Sequence, residues 1–158
     1  MNIAEKYSDI VRQINVHINS FNAFLVDEYK IKIISTDDPS TFSEIVNGDF
    51  DKQRWPSGSN YGVYILCECH EFENTNFGIY IGKSSLQGIG DRLWRHLNPY
   101  RKDGVYRNPS NESFIIEAVL AIPIIIPKMH CFASALEEYI IKNSLVGVHV
   151  FNKVGNKK

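Results

Sequence analysis

The sequence predicts an α+β fold: a small three-stranded antiparallel sheet flanked by helices, behind an N-terminal helical extension. Three observations carry this expectation. Segments of strand and helix character follow one another as β-β-α-β-α, without the regular alternation of a parallel α/β protein. The 158 residues suffice for one domain with a hydrophobic core and are short for two. A linker-like stretch, "QRWPSGSN" at 53–60, sets off a helical segment from the rest, giving an extension over 1–55 and a domain over 56–158.

Taken in order, residues 3–29 read as an amphipathic helix, with Ile10, Ile14, Ile18, Phe21 and Leu25 at three- and four-residue spacing. A short β-like run, Ile31–Ile34, comes next. Asp38, Pro39 and Ser40 then read as a turn opening a short helix that Gly48 ends. "YGVYILCEC" (61–69) and "FGIYIG" (77–82) are rich in aromatic and β-branched residues and read as two strands of a hairpin with a long loop. A helix is expected from about Asp91 to Leu97, stopped by Pro99. The first half of "SFIIEAVLAIPIII" (113–126) reads as a third, buried strand. "FASALEEYIIKNSL" (132–145) has a helical pattern with Gly147 after its end, and "VFNKVGNKK" closes the chain as a short strand or coil.

Composition excludes several classes. With 44% hydrophobic and 22% charged residues the chain is globular in type, not disordered or fibrous. Its apolar runs fall well short of the roughly 20 residues a membrane span needs. The N-terminus lacks the apolar core of a secretory signal, and three cysteines do not form a disulfide framework, so a reduced, cytoplasmic setting is expected. The net charge of −1 conceals an uneven distribution. Lys83, Arg92, Arg95, Arg101, Lys102 and Arg107 face only Asp91 and Asp103 within their stretch, while residues 1–60 are net acidic. Such a local excess is what contact with a phosphate backbone requires, and it is equally what a solvated basic surface would show.

Several residue groups suggest chemistry. Gly82-Lys83-Ser84 has the end of a phosphate-binding loop, but Phe77 stands where that motif needs its first glycine. Cys67, Cys69 and His70 have no recognised zinc spacing, and Cys131 is remote; two thiols on one face of a strand read as core packing. Arg92 and His96, four apart on a helix, share a face and can address one phosphate, with Arg95 beside them. Most such pairs on helices are plain surface charges. Glu137 borders the apolar face of the last helix and is either a boundary residue or a metal ligand, with Glu138 next to it. His17 and His130 lack suitable neighbours in sequence and read as surface or core histidines.

Together these residues resemble the GIY-YIG nuclease domain. The resemblance spans about Tyr61 to Asn152 and rests on five fragments in order: "GVYIL" (62–66), "YIGKSS" (80–85), "RLWRH" (92–96), "ALEEYIIK" (135–142) and "FN" (151–152). It departs from the family in a longer spacing between Tyr64 and Tyr80 and in a generous segment between His96 and Phe114; loop insertions of this kind are cheaply accommodated. Nothing in it covers the first 55 or so residues.

The resemblance implies a metal-dependent DNA endonuclease that hydrolyses phosphodiester bonds. Tyr64 would be the general base, which asks for a phenol pKa lowered from about 10. Lys83 would lower it, His96 would share or relay the proton, and Tyr80 would orient the water or the scissile phosphate. Arg92 would stabilise developing charge through its planar fork. Glu137, selected over Glu138 by the alignment on "IIK", would hold a single Mg²⁺ or Mn²⁺, with water and phosphate oxygens as the other ligands. Gly82 and Asn152 would support the site, and Arg95, Arg101, Lys102 and Arg107 would contact double-stranded DNA. A double-strand cutter with one site per chain needs two chains, so a homodimer is part of the expectation. The alternative from a different class is a non-catalytic nucleic-acid-binding module on the same scaffold.

Overall fold

The computed structural model describes residues 3–35, 60–69, 78–97, 101–102, 105–108, 111–116, 118–126, 128–143, 145–150 and 152. In chain order its elements are helix α1 (Ile3–Asn22), a 3-10 turn (Asp27–Tyr29), strands β1 (Gly62–Cys69) and β2 (Gly78–Ser84), helix α2 (Ile89–Leu97), strands β3 (Arg101–Lys102), β4 (Val105–Asn108), β5 (Asn111–Ile116) and β6 (Ala118–Ile125), helix α3 (Phe132–Lys142) and strand β7 (His149–Val150). None of the described helices is long and apolar enough to cross a membrane. The short helix expected over 40–48, the linker over 53–59 and the loop around His70 lie outside the described residues.

The α+β class holds, and the sheet differs in detail from the sequence expectation. It has four strands in the order β6-β1-β2-β7 and is mixed: β1 pairs antiparallel with both β2 and β6, while β7 runs parallel to β2. The fourth strand, His149 and Val150, meets the terminal segment expected as a short strand or coil only at Val150, and two residues carry too little periodicity to mark it as part of the sheet. The third strand is also displaced. The segment that joins β1 is β6, the second half of the apolar run, whereas β5, its first half, pairs with β4 in a separate sheet ordered β3-β4-β5. Pro123 argues against a strand at this point, but β6 lies at the sheet edge, where a residue without an N–H is tolerated.

Helix α1 ends at Asn22 rather than at Tyr29, and two asparagines direct the chain beyond it. Asn22 donates to the Ile31 carbonyl (2.8 Å) and accepts from the Ile31 N–H (2.8 Å). Asn15 does the same for Ile34, at 2.8 and 2.7 Å. Seven residues of helix rise about 10.5 Å, close to the roughly 10 Å that three residues of extended chain cover, so the two amides match this spacing. The run over 31–34 is therefore extended, as expected, but its backbone is held by helix side chains.

One face of the main sheet carries Val63, Ile65, Ile79 and Ile81, all fully buried. They form a single cluster with Ile124 and Ile126, with Ala133, Leu136 and Ile140 of α3, and with Tyr7, Ile10, Val11, Ile14 and Ile18 of α1. The apolar stripe of α1 thus belongs to the same core as the sheet. Strand alternation sends Tyr64, Leu66, Tyr80, Gly82 and Ser84 to the opposite face, and α2 packs against both central strands.

Candidate active site

The β1–β2 register places Tyr64 opposite Gly82 and Leu66 opposite Tyr80. Tyr64 and Tyr80 are diagonal neighbours, their ring centroids 6.4 Å apart and their planes tilted by 37°. Gly82 is required by this packing: a β-carbon there would lie 2.3 Å from Cζ and 2.4 Å from Oη of Tyr64. Gly82 is thus a seat for Tyr64.

Tyr64 is fully buried, and among the described residues its Oη makes no hydrogen bond of normal geometry, although the Arg92 guanidinium lies near enough to act on the phenol as a donor. An unmatched buried hydroxyl is costly, on the order of 1–3 kcal/mol. Its pKa is displaced upward from 10, first by burial and then by the nearby Tyr80; the Arg92 guanidinium opposes the rise, and Glu137 adds to it. Arg92 and Glu137 therefore both lie within electrostatic reach of the phenol. The direction corrects one expectation: a general base resting with a lowered pKa does not describe Tyr64 in the free protein.

Lys83 takes a different part from the one expected. It occupies an exposed position at the end of β2, and its Nζ lies 2.9 Å from Oε2 of Glu137 on α3. Its charge is not among those that displace Tyr64. Glu138, by contrast, is exposed and pairs locally with Lys142 at 2.5 Å, an ordinary contact between residues four apart on a helix. Of the two glutamates, Glu137 is the one turned toward the strand that carries Lys83.

Arg92 and Arg95 are exposed on α2. His96 lies one turn beyond Arg92 on the same helix, and its side chain is outside the described residues. Arg101 and Lys102 fall on β3 and Arg107 on β4, in register with Tyr106, Val105 and Ile115 respectively, so the small second sheet carries them together; their side chains are likewise not described. Asn152 brackets the central residue of β2. Its Oδ1 accepts from the Ile81 N–H at 2.7 Å, and its Nδ2 donates to the Ile81 carbonyl at 2.6 Å.

The remaining sequence candidates stand apart. Cys67 and Cys69 lie on β1, with side chains outside the described set, and Cys131 is a free, exposed thiol. His130 stacks on Tyr61 with centroids 4.0 Å apart, and His17 meets the Tyr139 ring edge-on at 6.3 Å. Among the described residues no group of three or more histidine, cysteine or acidic side chains is arranged to hold a metal ion. A cation here would have Glu137 as its protein ligand, which fits a hard, hydrated ion that takes one carboxylate and fills its other positions with water and phosphate oxygen.

Sequence reading missed Ser84. Only 3% exposed, it sets its Oγ 2.5 Å from the Gln87 carbonyl and 3.3 Å from that of Gly88, fixing the turn that launches α2. Arg92 N–H bonds to Gly88 in that same turn. The signal that could have found it was strand parity, which puts Ser84 on the face of Tyr80 and Gly82. Gly62 was missed too: a β-carbon there would come within 1.9 Å of the Ile124 carbonyl oxygen. No family model, curated protein or solved structure matches this chain.

Proposed function

We propose that the chain is a metal-dependent DNA endonuclease of GIY-YIG type. The observation that carries this reading is the Tyr64 hydroxyl, buried without a well-formed hydrogen bond among the described residues and within reach of a guanidinium and a carboxylate. A core tyrosine kept only for packing would be better served by phenylalanine. A hydroxyl retained at such cost, beside a cation and an anion, suits a group that meets its partner when substrate arrives.

In this reading Tyr64 rests as a neutral phenol, because burial disfavours its anion. As general base it would act as phenolate, its own proton first released to solvent with the Arg92 charge favouring the anion. Oη then takes the proton of the attacking water, and the half-buried Tyr80 beside it fixes the direction of approach. Arg92, exposed on α2, offers its donors in a planar fork to the phosphate oxygens where negative charge grows. Glu137 is the residue that would hold Mg²⁺ or Mn²⁺, which when bound stabilises charge on the phosphate and acidifies bound water. Lys83 neutralises the Glu137 carboxylate in the free protein. Asn152 and Ser84 keep β2 and the start of α2 in place.

The alternative, a nucleic-acid-binding module without catalysis, is favoured by one observation, the upward displacement of the Tyr64 pKa. Incubation of supercoiled plasmid with the purified protein separates the two. The nuclease reading expects nicked or linear product in Mg²⁺ or Mn²⁺ and loss of product in Glu137→Ala and Arg92→Ala variants that keep their fold. Salt-dependent binding with no cleavage by the wild type supports the binding module instead.

A further inference from the structure

We propose that Lys83 is the internal counter-ion of Glu137 and holds down the affinity of the free protein for a divalent cation, so that loading is coupled to the arrival of a phosphodiester. The inference rests on the nuclease reading above and concerns when its carboxylate becomes available. It starts from the 2.9 Å contact between Lys83 Nζ and Glu137 Oε2. This contact joins the end of β2 to α3 across the fold, unlike the local helix pairs Arg12–Asp9 and Lys142–Glu138. The two partners are unequally held. The Glu137 side chain is 17% exposed, whereas that of Lys83 is 44% exposed. Four flexible carbons let the ammonium leave while the carboxylate stays.

An ammonium and a divalent cation compete for the same carboxylate oxygens. With Lys83 in place, an incoming cation meets a carboxylate already paired with an ammonium, and a second positive charge, Arg92, acts on the same phenol that Glu137 influences. A DNA phosphate supplies the missing term. It gives Lys83 another anion to contact and brings oxygen ligands of its own. Cation and DNA then favour each other's binding, and by linkage the effect is reciprocal. The Lys83 charge that sequence resemblance assigned to tuning Tyr64 acts, in this account, on the carboxylate.

Mn²⁺ titration of the DNA-free protein, followed by electron paramagnetic resonance of the free ion at fixed ionic strength, tests this without any activity readout. Wild type, Lys83→Met, Lys83→Arg and Glu137→Gln are compared, with circular dichroism confirming the fold and Lys83→Gln replacing Lys83→Met if the latter does not fold. The expected result is binding about two- to fivefold tighter in the neutral variant, as loss of a partly exposed ion pair implies, with Lys83→Arg near wild type and the site lost in Glu137→Gln. Equal or weaker binding in the neutral variant overturns the inference. Unchanged binding in Glu137→Gln, or no saturable binding in both wild type and the neutral variant, overturns the metal reading beneath it.

Discussion

The ring of Tyr64 occupies the space that a β-carbon on Gly82 would need, with Cζ 2.3 Å from that position. The register pairs these two residues across β1 and β2, so the contact is built into the sheet. Gly82→Ala is expected to force Tyr64 out of its seat and to destabilise the protein by about 1–3 kcal/mol, the usual range for overpacking. Chemical denaturation measures the shift. A variant as stable as wild type would contradict the packing described.

The buried Tyr64 hydroxyl makes a prediction of opposite sign. Tyr64→Phe removes a polar atom that has no well-formed hydrogen bond among the described residues and keeps the ring on Gly82, so the protein should fold with unchanged or increased stability. A thermal melt decides, and a clear loss of stability would show that Oη has a partner in the free protein.

The same residue predicts a pH dependence. Burial raises the folded-state pKa of Tyr64 above its ordinary value of 10. Above that value an unfolded tyrosine loses its proton while the folded one keeps it, so unfolding gains and stability falls as pH rises. Below pH 10 the contribution is fully present. Denaturation midpoints measured across the alkaline range should fall for wild type and fall less steeply for Tyr64→Phe.

Asn152 supports the account from the other edge of β2. Its amide satisfies both backbone groups of the buried Ile81. Asn152→Ala is expected to cost about 1–3 kcal/mol for each group left without a partner, read by denaturant titration. Asn152→Asp keeps the acceptor and turns an oxygen toward the Ile81 carbonyl, so it should not restore full stability.

The core makes a parallel prediction for the N-terminal helix. Ile14 of α1 is fully buried in the cluster that holds Ile65, Ile81 and Leu136. Ile14→Ala should therefore destabilise the whole protein by about 2–5 kcal/mol in a single cooperative transition. An early, separate transition would show α1 melting on its own.

How far the sequence reached can be judged residue by residue. The hairpin carrying Tyr64 and Tyr80 was legible because aromatic and β-branched residues mark strands and a glycine marks close approach. The helical period placed Glu137 at the border of the apolar face, but it was the resemblance, through its alignment on "IIK", that set Glu137 apart from Glu138. The third strand was misplaced because "FIIEAVLAIPIII" is apolar almost throughout and carries no alternation from which to choose a register. The partner of Lys83 was not legible: an ion pair between a strand end and a distant helix is set by tertiary packing. The asparagine brackets at Ile31, Ile34 and Ile81 were hidden for the same reason, as an amide's partner is known only once the backbones meet. The pKa of Tyr64 was expected to fall because a base needs it lowered, and burial moves it the other way.

Cleavage of supercoiled plasmid by wild type and Tyr64→Phe, side by side in Mg²⁺ and in Mn²⁺, addresses the central claim most directly. The account predicts that wild type converts plasmid to nicked or linear product and that Tyr64→Phe, folded and at least as stable, does so at least about 100-fold more slowly. A wild type inert on plasmid with both ions, or a Tyr64→Phe protein that cuts as fast as wild type, would contradict it.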